Sequence, residues 1–175
     1  MNDVVLLIMS GAAGTTCLEA LVAEAREAAV LDTVQRALAA PSIGRIVVAT
    51  GSRALAGRLQ GLPVAVDLDA PDEPFHFGRR LAGCISRHEI HRIIYMGAGS
   101  GVLLTADDLD GLARAVQADG PRLVVNNFFS VDFAAWTPAE RLIGLPLPKH
   151  DNALGWLLGQ DAARRVGLLP TAVLE

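Results

Sequence analysis

The sequence predicts an α/β fold: a three-layer sandwich with a mostly parallel sheet at its centre. Three observations carry the prediction. Short apolar runs rich in valine, isoleucine and leucine alternate with helix-forming stretches, which is the pattern of strands joined by helical crossovers. Several of these runs end in loops of glycine and other small residues. The chain has 175 residues, 51% of them hydrophobic, enough for one domain with a sizeable core.

The elements follow in order. Val4–Met9 is an apolar run and reads as a buried strand, and Gly11–Thr16 follows as a small-residue loop. Leu18 to Ala40 has the Ala/Leu/Glu content and spacing of a long helix, stopped by Pro41. Arg45–Thr50 reads as a second strand, Arg53–Gln60 as a short helix and Leu62–Leu68 as a third strand. After the acidic, proline-containing loop Asp69–Pro74 comes a helix over Phe77–His88. Arg92–Met96 is a fourth strand, ending in Gly97–Gly101 (GAGSG). Thr105 is a good N-cap with acids behind it, opening a helix that runs to about Ala118. Arg122–Asn127 is a fifth strand, with Phe128–Trp136 as its extended continuation. A proline-rich stretch, Leu145–Lys149, precedes a last amphipathic helix from about Asn152 to Val166. Neither an internal repeat nor a linker interrupts this order, so residues 1–175 are expected to form a single domain.

Composition excludes several classes. Acidic residues outnumber basic ones, 19 to 15, which argues against a protein that holds nucleic acid by general charge. The longest clean apolar run, Val4–Met9, is far short of the roughly 20 residues of a membrane span. The N-terminus lacks the charge and the longer apolar core of a secretory signal, so a cytoplasmic location is expected. Cys17 and Cys84 form no CxxC and read as two reduced thiols. Lys149 is the only lysine.

In a parallel sheet the ligand lies beyond the carboxyl ends of the strands. Ser10–Thr16 (SGAAGTT) lets the backbone approach a ligand, and the helix behind it offers N–H groups to a phosphate. It is neither GxGxxG nor a Walker A motif, and a plain tight turn explains it equally well. Gly97–Gly101 packs three glycines into five residues, either for close approach to a ligand or for a structural turn. In Asn126–Asp132, the polar residues Asn127, Ser130 and Asp132 are candidate ligand groups or loop-bracing groups. Asp151 and Asn152 are helix caps or, with Lys149 and His150, a metal or phosphate site. His88 and His91 lack the HExxH spacing and read as surface residues.

A strand ending in a small GT-containing loop, then a long helix and a short VVATGS strand, resembles the MobA-like nucleotidyltransferases. The resemblance covers most of the chain. Ser10–Thr16 lies where that family has its LAGGxGTR-like loop, Val30–Val34 (VLDTV) is similar to its PLLDTVL segment, and Ser100–Thr105 (SGVLLT) to its DxPLLT segment. It implies a Rossmann-like, GT-A-type sheet and an enzyme that transfers a nucleotidyl group from an NTP, GTP or CTP, to a small phosphorylated or hydroxylated acceptor. In this reading the nucleotide contacts come from Ser10, Gly11, Ala12, Ala13, Gly14, Thr15, Gly99, Ser100 and Asn127, and Asp132 or Asp151, the remaining acids that could reach a metal, would hold Mg²⁺.

The sequence departs from the family at charged positions. Thr16 replaces the arginine after GT, Glu27 and Ala28 lie where a lysine is expected, and Ser100 replaces a metal-binding aspartate. Nucleotidyl transfer needs positive charge on the triphosphate, and no other lysine lies near these segments in sequence. Relatives continue into an acidic segment where this sequence reads Thr171–Glu175 (TAVLE), which leads to the expectation of a domain cut short at its last strand. The alternatives are a nucleotide-binding or regulatory domain without catalysis, and a structural domain whose apolar fraction serves a homodimer interface.

Overall fold

The computed structural model describes residues 3–11, 14, 16–70 and 74–160, and the backbone of 165–168. Its strands are β1 (Val4–Ser10), β2 (Ile43–Thr50), β3 (Ala65–Leu68), β4 (Arg92–Gly97), β5 (Arg122–Val125), β6 (Phe133–Thr137) and β7 (Arg165–Leu168). Its helices are α1 (Cys17–Leu38), α2 (Arg53–Arg58), α3 (Phe77–Arg87), α4 (Ala106–Gln117) and α5 (Leu154–Gly159). Short 3-10 turns cover Ala139–Gly144 and Asp151–Ala153.

The strands form one sheet in the order β3-β2-β1-β4-β6-β5-β7. Every strand but β6 runs the same way; β6 is antiparallel to both β4 and β5. The predicted α/β class with a mostly parallel sheet is therefore observed. Alternation along the strands divides the core in two. On one face Leu6, Ile8, Val48, Ile94, Met96 and Phe133 meet Val30 and Val34 of α1 and Leu109, Leu112 and Val116 of α4. On the other, Val5, Leu7, Val47, Ile93, Tyr95 and Trp136 meet Phe77, Leu81 and Ile85 of α3 and Leu154 and Leu158 of α5. Both faces of β1 and β4 are thus covered, which is why these strands read as unbroken apolar runs.

Two expectations are corrected. Phe128–Trp136 does not continue the fifth strand. Asn126 turns the chain: its Oδ1 accepts from the backbone N–H groups of Asp132 and Phe133 at 3.0 and 3.3 Å. The chain then returns as β6, between β4 and β5. The last helix does not reach Val166. α5 ends at Gly159, and Arg165–Leu168 pairs in parallel with β5.

Helix starts follow their caps. Thr16 begins α1 with a capping box: its hydroxyl accepts from Glu19 N–H at 3.2 Å, and the Glu19 carboxylate accepts from Thr16 N–H at 2.9 Å. Thr105 and Asp108 do the same for α4. α3 begins where Gly78 passes against the Pro148 backbone, donating its N–H to the Pro148 carbonyl at 2.9 Å. A Cβ on Gly78 would lie 2.7 Å from that oxygen, so glycine is required for the approach.

Candidate functional site

The chain leaves β1 in one direction across the sheet and β4 in the other. The crevice beyond the carboxyl ends of these two neighbours is the switch point of the topology. Backbone hydrogen bonds knit its walls. Ala98 N–H donates to the Met9 carbonyl at 3.0 Å, and Gly97 N–H donates to the Asp132 carbonyl at 3.2 Å. The ends of β1 and β4 and the entry to β6 are thus held together.

A cleft of about 480 Å³ opens there. Ser10, Gly11, Gly99, Ser100, Asp132 and Asp151, far apart in sequence, all line it. Gly101 closes the β4 loop at φ +65°, a left-handed conformation that glycine adopts without cost. Three predicted residues of the first loop, Ala12, Ala13 and Thr15, lie outside the described residues. Gly14 is not among the cleft's lining residues; it packs under the Glu19 carboxylate.

Asn127 is not brought to the cleft either. It is exposed, and its Oδ1 accepts from Phe129 N–H at 2.9 Å, bracing the loop. Its neighbour Asn126 contributes instead, donating from Nδ2 to Asp132 Oδ2 at 2.9 Å. Asp151 Oδ1 accepts from Asn152 N–H at 2.9 Å. Each carboxylate thus keeps one oxygen without a partner among the described residues. Tyr95 of β4 also lines the cleft. Burial pushes its hydroxyl well above the ordinary tyrosine range, and the Asp151 and Asp132 charges add to the rise.

The sequence reading missed two contributors: Arg26, which enters the cleft from α1, and Asp69, from the end of β3. Lys149, offered only as part of a metal or phosphate site, enters from the segment before α5. The chain's only lysine therefore lies in the cleft, although it is remote in sequence from the loops that lack one. Phe75 and Phe77 supply apolar wall. The signal for Arg26 was its place just ahead of the segment where the family carries its lysine.

The capping box corrects another expectation. The first N–H groups of α1 are not all available to a phosphate, because Thr16 and Glu19 satisfy each other's N–H groups, and Glu19 brings a negative charge to the helix start. Thr16, which replaces an arginine of the family pattern, is occupied as the N-cap.

Among the described residues no three His, Cys, Asp or Glu side chains lie close enough to hold a metal by themselves. Magnesium, however, is commonly bound by one or two carboxylates with waters and substrate phosphates. Asp132 and Asp151, hard oxygen donors on one cleft, suit that mode.

Two predicted surface or inert groups have specific surroundings. His88 is largely buried, with Nε2 2.8 Å from Asp67 Oδ2, whereas His91 pairs with Glu140 at an exposed site. Cys17 is exposed and Cys84 buried, both as free thiols. Burial pushes the Cys84 thiol up to about 11, against the pull of Arg80, so it is no thiolate nucleophile at neutral pH. Among the described residues no helix is long and apolar enough to cross a membrane.

No protein-family profile and no curated protein matches the chain. Solved structures do. A nucleotidyl transferase from Methanothermobacter thermautotroptrophicus (Mth528) superposes with a TM-score of 0.72 at 18% identity, covering 96% of this chain and 87% of that one. CMP:2-keto-3-deoxy-manno-octonic acid synthetase, solved with CTP, gives 0.65 at 14% identity, covering 95% and 90%. Rv0371C from Mycobacterium tuberculosis, solved with manganese, gives 0.59 at 13%, covering 95% and 87%. At these identities the likeness establishes the fold alone, the one these structures share.

Proposed function

We propose that this chain binds a nucleoside triphosphate, CTP or GTP, in the β1–β4 cleft and, with Mg²⁺, passes its nucleotidyl group to a small phosphorylated or hydroxylated acceptor, as a divergent MobA-like nucleotidyltransferase. The observation that carries this reading is the convergence of Ser10, Gly11, Gly99 and Ser100 with Asp132, Asp151, Arg26 and Lys149 on one cleft. The fold shared with nucleotidyl transferases supports it.

In this reading the small residues at the ends of β1 and β4 let the backbone approach the nucleotide, with Phe75 and Phe77 as apolar wall for the base. Arg26 and Lys149 carry the positive charge that the loop itself lacks. An acceptor oxygen attacks the α-phosphorus, the bond to the β-phosphate breaks, and pyrophosphate leaves. Magnesium at Asp132 and Asp151 would neutralise charge developing on the phosphates.

A second reading, binding without catalysis, is favoured by one feature: Ser100 and the Glu19-capped helix stand where charge neutralisation is expected. The two are separated by thermal unfolding and product analysis with CTP and GTP. A transferase is stabilised more by nucleotide with Mg²⁺ than without, by mass action, and releases pyrophosphate with its acceptor. A binding domain is stabilised equally with or without the metal. No stabilisation by any NTP contradicts both.

A further inference from the structure

Beyond the β3 edge of the nucleotide cleft lies a larger one, of about 990 Å³, lined by Arg53, Arg79, Arg80, Arg87, Leu68 and Phe75 among others. It shares Asp69 and Phe75 with the first cleft. We infer that this second cleft is a binding site for a phosphate ester, a small molecule with a phosphomonoester group and a compact apolar body. The proposal goes beyond the nucleotide reading and does not depend on it.

The first argument is charge. Four guanidinium groups face the cleft, in a chain whose net charge is −4. Asp67 and Asp69 offset part of this. Arg80 donates from Nη1 to Asp67 at 2.8 Å and from Nε to Asp69 at 2.7 Å, and Arg87 donates to Asp67 at 2.6 Å. Among the described residues, four arginines line the cleft and two carboxylates bond to them. Asp72 and Glu73, next in the chain, lie outside the described residues.

The second argument is availability. Arg53 and Arg79 are exposed, and their guanidinium groups have no partner among the described residues. Arg80 spends Nε, Nη1 and Nη2 on Asp69 and Asp67, so a ligand meets Arg87, anchored on Asp67, together with Arg53 and Arg79. Arginine forks match phosphate oxygens in pairs.

The third argument is position. Arg53 is the first residue of α2 and Arg79 lies in the first turn of α3, and neither helix has an acid in that turn. α1 and α4 place Glu19 and Asp107–Asp108 there. A cation at a helix N-terminus opposes the helix dipole, and an anion beside Arg79 at the start of α3 offsets it. Leu68, Phe75, Ala70 and Pro74 supply wall for an organic body too large for a site built for the bare ion.

The test is titration calorimetry on the full chain, at low ionic strength and without nucleotide, with phenyl phosphate, inorganic phosphate and phenol. Phenyl phosphate is expected to bind more tightly than phosphate, and phenol not to bind. The Arg53→Gln/Arg79→Gln double variant should weaken phenyl phosphate binding by about tenfold or more. Its unfolding midpoint should stay near wild type, because both side chains are exposed. Arg26→Gln/Lys149→Gln, in the first cleft, should leave that affinity unchanged. The proposal is overturned if phenyl phosphate does not bind, if phenol binds as well as it does, or if the Arg53/Arg79 variant binds like wild type. It is equally overturned if the Arg26/Lys149 variant is the one that loses binding, which would move the anion to the first cleft.

Discussion

Single side chains decide how much negative charge the first cleft tolerates. Glu19 caps α1 through Thr16 and sets a carboxylate where a triphosphate would gain most from the helix start. Glu19→Gln keeps an acceptor for the cap and removes the charge; nucleotide affinity should rise about two- to fivefold in a binding titration. Asp67 is the residue-scale key to the β3 edge, 6% exposed and bonded to Arg80, Arg87 and His88. Burial raises its carboxyl pKa, but hydrogen bonds from Arg80 and His88 and the charges of Arg80 and Arg87 outweigh this, so it falls below the ordinary 3.8. Such a lowered group stabilises the fold above its unfolded pKa, and the contribution is lost as pH falls through the folded value. Asp67→Asn should therefore cost roughly 3 kcal/mol at neutral pH, a fall of about 6–12 °C in Tm. In thermal scans, the gap to wild type should hold down to about pH 4 and narrow below it. Ser10, Gly11 and Asp132 were legible as cleft residues because each lies at or beside the end of a strand, whereas Asp151 was legible only as an acid in the Lys149–Asn152 segment. Lys149 and Arg26 were not legible as partners of those loops, since only the sheet order brings them there.

The elements show where local patterning stops being informative. β1, β2, β4, α1 and α4 were legible because a buried parallel strand is a plain apolar run and both long helices carry strong caps. The Asn126–Trp136 region was not. A strand that reverses within a few residues and one that continues share the same β-rich composition, and the reversal depends on one asparagine bonding to the backbone beyond it. The last helix was overextended because the Ala/Leu-rich pattern runs on past Gln160, where α5 is capped. The α3 start and the segment carrying Lys149 and Asp151 are coupled at Gly78, which touches the Pro148 backbone. Gly78→Ala should destabilise the fold by about 1–3 kcal/mol, read by denaturant unfolding. It should also weaken nucleotide binding, because displacing Pro148 moves Lys149 and Asp151 away from the cleft.

At the scale of the whole molecule, one antiparallel strand inside a parallel sheet creates the site. β6 enters beside β4 and brings Asp132 to the mouth of the β1–β4 crevice. Two clefts then share the Asp69–Phe75 wall, the inner one acidic with Arg26 and Lys149, the outer one rich in arginine. Six of the chain's fifteen basic residues line these two clefts. The central claim is that the inner cleft binds a nucleoside triphosphate with Mg²⁺ through Asp132 and Asp151. Thermal unfolding of wild type and of Asp132→Asn/Asp151→Asn with CTP or GTP, with and without Mg²⁺, tests it most directly. The account predicts a Tm rise with nucleotide that grows when Mg²⁺ is added in wild type, and no added rise from Mg²⁺ in the double variant. An unchanged Tm with either nucleotide, or the same Mg²⁺-dependent rise in the double variant, would contradict it.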